Sequence, residues 1–218
     1  MKRSILVCTA LSCGLALSAV AHGDAGSVKL ATAKRGNGQP GAGALVNMHN
    51  GEIITLKNAK SGLCIGVENG HTNNGALLYQ GACNGAPDQN WQIWAASSSI
   101  NGGQHLQSGD LLYLENVKNG KRCMGVDQAK VTPGANIGLY DCHFSKGVSN
   151  QKWLVKPIWR GLSLTGFANI KNMKSSRAHP QSEGYCVGVD WAKSTRAQLK
   201  QFPCDHKTNQ AWQVLPRS

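Results

Sequence analysis

Aromatic residues are scarce in this 218-residue chain, at 6%, and acids are outnumbered by bases, 11 against 23. A core short of aromatics needs support beyond packing. The deficit of acids favours anionic partners such as acidic glycans, sulfated polysaccharide, lipid headgroups or nucleic acid without choosing between them, and plain solubility explains it equally well. No window sustains a helical stripe, so a helical bundle is excluded. There is no Cys-x-x-Cys pair or Cys/His cluster, and hence no metal site is expected. His-Glu-x-x-His is also absent, and the nearest approach to a nucleophile elbow, from Gly161 to Thr165, lacks its second glycine. The chain is therefore not expected to be an enzyme. No cofactor is implied, and no specific nucleic acid is expected.

What the chain does have begins at its amino terminus. Lys2 and Arg3 precede an apolar stretch from Ile5 to Val20 that ends in Ala19-Val20-Ala21. This is the layout of a cleaved secretory signal peptide over 1–21 and predicts a secreted protein, with periplasmic transit as part of the route. A lipoprotein signal with Cys13 as the modified residue, hence an outer-membrane anchor, is the rival. Past this stretch no apolar run is long enough to span a membrane. Removal of the signal takes away two bases and no acid, leaving 21 basic and 11 acidic side chains, a balance of +10.

Cys8 and Cys13 leave with the signal, and six cysteines remain in an oxidising context. Six allow fifteen pairings. Spacing selects one of them: Cys64 with Cys83 and Cys123 with Cys142, each 19 apart, and Cys186 with Cys204, 18 apart. Closing a local loop of this size contributes about 3 kcal/mol in the chain-entropy model.

Residues 22–51 are rich in Gly, Ala, Asn and Lys and read as a flexible basic leader. The Gly-x-Gly-x-x-Gly match from Gly36 to Gly41 follows no strand and contains Pro40, so it belongs to that leader. Residues 52–218 repeat themselves three times. Each unit contains Cys-x-Gly-Val, at Cys64, Cys123 and Cys186, then a second cysteine, then Gln-x-Trp, at Gln89 and Trp91, Gln151 and Trp153, and Gln210 and Trp212. The closing tryptophans fall 62 and 59 residues apart, giving units of about 60. Short β-branched and aromatic runs such as Ile53 to Leu56, Leu111 to Leu114 and Leu139 to Tyr140 predict strands. Frequent Asn-Gly pairs predict hairpins. Three equal units imply an all-β, closed, pseudo-threefold arrangement.

These motifs resemble the ricin B-type lectin family over about residues 52–215. The resemblance implies a β-trefoil, a lectin-like binding role, and use as the targeting part of a toxin or hydrolase. Alternation along a strand would put Gln and Trp on the same side, with the tryptophans in a shared core and the glutamines bonding neighbouring backbone. In the family a sugar pocket uses an Asp two residues after the first Cys, an aromatic ring two before the second Cys, and an Asn just before the Gln. Here Gly66, Gly125 and Gly188 stand at the Asp position. Either the pockets are inactive or the acid comes from elsewhere. Two residues on, Glu68, Asp127 and Asp190 offer a displaced acid. The second repeat keeps Tyr140 and Asn150, and the third keeps Phe202 and Asn209. The first has Gly81 and Asp88 and reads as the poorest site. The candidate carbohydrate-binding residues are thus Asp127, Tyr140, Asn150, Asp190, Phe202 and Asn209.

The function expected is that of a secreted, non-catalytic, glycan-binding protein. The alternative is a non-enzymatic receptor-binding or delivery subunit of a multicomponent toxin, similar to cytolethal distending toxin subunits A and C, that docks a catalytic partner.

Overall fold

The computed structural model describes residues 48–96, 105–106, 109–118, 120–144, 149–160 and 163–217. The expected signal peptide, the leader up to residue 47, and the Asn101-Gly102 pair lie outside them. Among the described residues twelve strands are formed, four per repeat. They are β1 Ile53–Asn58, β2 Cys64–Val67, β3 Leu78–Gly81 and β4 Trp91–Ala95, then β5 Leu111–Asn116, β6 Arg122–Val126, β7 Ile137–Asp141 and β8 Trp153–Arg160. The third repeat supplies β9 Ser163–Asn172, β10 Tyr185–Val189, β11 Ala197–Pro203 and β12 Trp212–Pro216.

The outer two strands of each repeat build a barrel. β1 pairs β4, β4 pairs β5, β5 pairs β8, β8 pairs β9, β9 pairs β12 and β12 returns to β1, every pair antiparallel. Closure of this six-stranded ring removes its open edges. The inner two strands of each repeat form a capping hairpin: β2–β3, β6–β7 and β10–β11. The hairpins interlock through β11 with β3 and through bridges at Leu77 with Gly138 and Asn136 with Lys200. This is the β-trefoil expected from the threefold repeat.

The three tryptophans that begin β4, β8 and β12 are fully buried. Each donates its indole N–H to the backbone carbonyl of the residue after the first cysteine of its repeat: Trp91 to Ile65 at 3.3 Å, Trp153 to Met124 at 3.0 Å and Trp212 to Val187 at 3.0 Å. The three disulfides are those selected by spacing.

The glutamines differ from expectation in one respect. They do not lie on the strand with the tryptophans but close the 3-10 turns Pro87–Gln89, Ser149–Gln151 and Thr208–Gln210 that precede it. From there each side chain grips the backbone on both sides of the second cysteine. Gln89 donates to the Ala82 carbonyl and accepts from Asn84 N–H, Gln151 serves Asp141 and His143, and Gln210 serves Pro203 and Asp205, at 2.7–3.1 Å. The spacer residue is needed because turn and strand point their side chains differently.

A buried asparagine ends the first strand of every repeat: Asn58, Asn116 and Asn172. Each donates across to backbone carbonyls at the Gln-x-Trp motif of the neighbouring repeat: Asn58 to Asn209, Asn116 to Asp88 and Asn172 to Asn150. The three repeats are tied into a ring by these bonds.

Three local features depart from the sequence reading. Residues 48–51, placed in the leader, are built into the fold: Met48 is buried in the core, and Asn50 accepts a 2.7 Å bond from Ala95 N–H. The insertion in the third repeat carries a short helix, α1 Met173–Ala178, whose N-cap is Asn172, which accepts from Lys174 and Ser175 N–H. Six residues are too few to show a periodic stripe. The Asn-Gly pairs supply positive φ at Gly51, Gly70, Gly75 and Gly85, but none of these four forms a two-residue hairpin loop, and two lie within the ten-residue connection of β2 to β3.

Candidate functional site

Each capping hairpin floors a pocket, and the glycine at the family's Asp position explains its shape. A Cβ on Gly125 would come within 3.1 Å of Tyr140 Cδ2 and Gln151 Cγ, and one on Gly188 within 3.0 Å of Phe202 Cδ2 and 3.2 Å of Gln210 Cγ. The glycine therefore lets the platform ring lie against the hairpin, in space that a carboxylate side chain there would need.

The displaced acid stands at the rim of the same pocket. In the second repeat the strand stays extended through Val126, and Asp127 opens a 3-10 turn. The Tyr140 hydroxyl donates to Asp127 Oδ1 at 2.8 Å. Burial, then this bond and the carboxylate's charge, holds the phenol well above its usual pKa range. Asn150 lines the pocket and donates to the Val126 carbonyl at 3.2 Å. Asp127, Tyr140 and Asn150 are thus brought together around a cleft of about 370 Å³, with His143 and Asn74 at its sides.

The third repeat brings Asp190, Phe202 and Asn209 together in the same way, around a larger cleft of about 640 Å³. Phe202 has no hydroxyl, and the partner of the acid comes instead from the strand position opposite Gly188. There Lys200 reaches Asp190 Oδ2 at 3.0 Å. The chemistry is conserved in effect between the two pockets: an acid fixed by a donor from β7 or β11.

Trp191 is the residue that sequence reasoning missed. It lines the third cleft, is 84% exposed and has φ of +53°. The equivalent positions, Asn69 and Gln128, share this left-handed turn with the residue that follows each. A left-handed conformation costs a bulky residue roughly 1–2 kcal/mol, and Trp in water gains nothing in return. The turn is common to the three repeats, and the third alone places an exposed aromatic ring on it. Trp191 follows the displaced acid, where the other repeats have polar residues, but only its exposure and positive φ set it apart.

The first repeat is also fuller than Gly81 suggested. Tyr79 lies opposite Gly66 in register, two residues before the usual platform position. The Arg196 guanidinium sits 4.9 Å from the Tyr79 ring centre and donates to Asn69 Oδ1 at 3.3 Å. With Asp88 these residues line a cleft of only about 200 Å³. Among the described residues no group of three or more His, Cys, Asp or Glu is arranged to hold a metal ion.

Residues 44–140 match the family model of ricin-type β-trefoil lectin domain-like proteins, which covers the first repeat and the second as far as Tyr140. No curated protein matches the chain in sequence. Among solved structures, the designed threefold-symmetric protein ThreeFoil is similar with a TM-score of 0.58 and 23% identity, over 75% of this chain and 97% of that one. An exo-β-1,3-galactanase from Clostridium thermocellum gives 0.58 and 23% over 76% of this chain, which spans only 30% of the galactanase. The cytolethal distending toxin from Actinobacillus actinomycetemcomitans gives 0.53 and 16%, over 76% of this chain and 91% of the toxin chain. At these identities the likeness is one of fold. Fold and solved structures together show a β-trefoil, and residues 44–140 of it resemble the ricin-type β-trefoil lectin-like domain.

Proposed function

We propose that the chain is an exported, non-catalytic binding protein that recognises glycans through the clefts of its second and third repeats. The observation that carries this reading is the strained, exposed Trp191 beside Phe202, Asn209 and Asp190. Rings stack on the apolar face of a sugar, a carboxylate accepts from its hydroxyls, and an amide both donates and accepts. Two clefts on one rigid body also add avidity. Three disulfides suit an oxidising, extracellular setting.

A glycan array probed with wild type, Asp127→Ala, Asp190→Ala and Trp191→Asn tests the reading. Asn tolerates the left-handed turn, as Asn69 does. Trp191→Asn is therefore expected to raise the melting temperature by a few degrees while weakening glycan binding at least tenfold. Wild type retained by no glycan would defeat the proposal.

A second surface favours the delivery-subunit reading. Phe144 is 47% exposed and packs edge-on against Tyr113, 5.1 Å between centres, and Trp94, at 6.4 Å. Such a ring suits a protein partner, and the likeness to a cytolethal distending toxin agrees with that use. Under this reading Phe144→Ser abolishes co-elution with a catalytic subunit and leaves glycan retention intact.

A further inference from the structure

His49 and His105 lie 56 residues apart in sequence and meet in an isolated antiparallel bridge just before β1, where Leu106 N–H donates to the Met48 carbonyl at 2.7 Å. Their Nε2 atoms are 3.3 Å apart and their ring centres 4.0 Å apart, with the planes inclined at 43°. A straight N–H···N bond would set the rings end to end. Here the ring centres are nearer than an end-to-end bond would set them, while the two Nε2 atoms stay within hydrogen-bonding distance.

Two imidazole nitrogens on one tetrahedral zinc, each at about 2.0–2.1 Å, lie roughly 3.3–3.4 Å apart. The separation on the bridge is 3.3 Å. Glu52 supports the arrangement from behind: its Oε2 lies 3.8 Å from His49 Nδ1 and accepts the His49 main-chain N–H at 2.9 Å. A carboxylate facing Nδ1 favours a proton there and leaves the lone pair on Nε2, the tautomer that a metal ligand needs. His49 is 41% exposed, so the rings have room to turn toward a common ion and water can fill its remaining positions.

From this geometry we propose that His49 and His105 hold a divalent transition-metal ion of the zinc type through their Nε2 atoms. As the metal takes its place, the proton on the second Nε2 passes by way of solvent to Nδ1 of the same ring, so both imidazoles bind as neutral ligands. The occupied site clips the segment that leads into β1 to the connection between the first and second repeats. It is independent of the glycan clefts.

The test is thermal melting of the untagged full chain with and without zinc chloride, beside His49→Ala, His105→Ala and, as a control, His71→Ala. The bridge itself is main-chain, so both ligand variants retain it. At zinc about ten times above its dissociation constant, wild type and His71→Ala are expected to melt roughly 3–6 °C higher, and the two ligand variants to be unmoved. No rise in wild type, or an equal rise in His49→Ala and His105→Ala, would overturn the assignment.

Discussion

Gly188 decides what the third cleft can hold, because Phe202 occupies the volume that any side chain on that residue would claim. Gly188→Asp restores the residue type usual in the family, yet it is expected to abolish binding in this cleft, since the ring must leave its seat. Retained or improved glycan affinity, measured by titration, would contradict this account of the pocket. Tyr140 makes a related point about protons. Burial and the bond to Asp127 raise its pKa, so the unfolded phenol ionises first as pH climbs. The stabilisation is complete below the unfolded value near 10, and is lost as pH rises from there through the folded value. Chemical denaturation across this alkaline range is expected to show a gentler loss of stability for Tyr140→Phe than for wild type. Identical slopes would mean that the hydroxyl is not held as described.

The repeat's closing motif is best understood at the level of elements. Gln151 grips the backbone on both sides of Cys142, and Trp153 holds the residue after Cys123, so the motif fastens both ends of one disulfide-linked hairpin. Gln151→Leu leaves a buried carbonyl and N–H without partners. A loss of about 2–4 kcal/mol is expected in urea unfolding, with the disulfide still formed. A change below about 0.5 kcal/mol would show that the clamp is replaceable.

Much of this was legible in the sequence, for reasons that differ by element. The disulfides and the closing tryptophans were readable because spacing repeats three times. Asp127, Tyr140 and Asn150 were readable because their offsets from Cys123, Cys142 and Gln151 are fixed by the hairpin. Trp191 was not, since its meaning lies in exposure and a positive φ, neither of which spacing reveals. Tyr79 escaped because it sits two residues from the family position, and its partner Arg196 belongs to another repeat. Asn58, Asn116 and Asn172 recur at the same place in every unit, but only the closed ring shows that each bonds to a neighbour.

At the scale of the whole molecule, threefold closure supplies rigidity while the three clefts are free to diverge. The barrel, the tryptophans and the asparagine ring are shared by all repeats. The clefts are not: one is filled by Tyr79 and Arg196, one is spanned by the Tyr140 hydroxyl, and one is left open beneath Trp191. Trp91, Trp153 and Trp212 are buried and Trp191 is in water, so the part of collisional quenching that Trp191→Asn removes reports on it. Acrylamide quenching of tryptophan fluorescence, with and without a glycan retained on the array, therefore addresses the third cleft directly. Occupation of the cleft is expected to shield the exposed indole and lower the quenching constant in wild type, with no change in Trp191→Asn; an unchanged constant in wild type at saturating glycan would contradict the assignment of this cleft as the binding site.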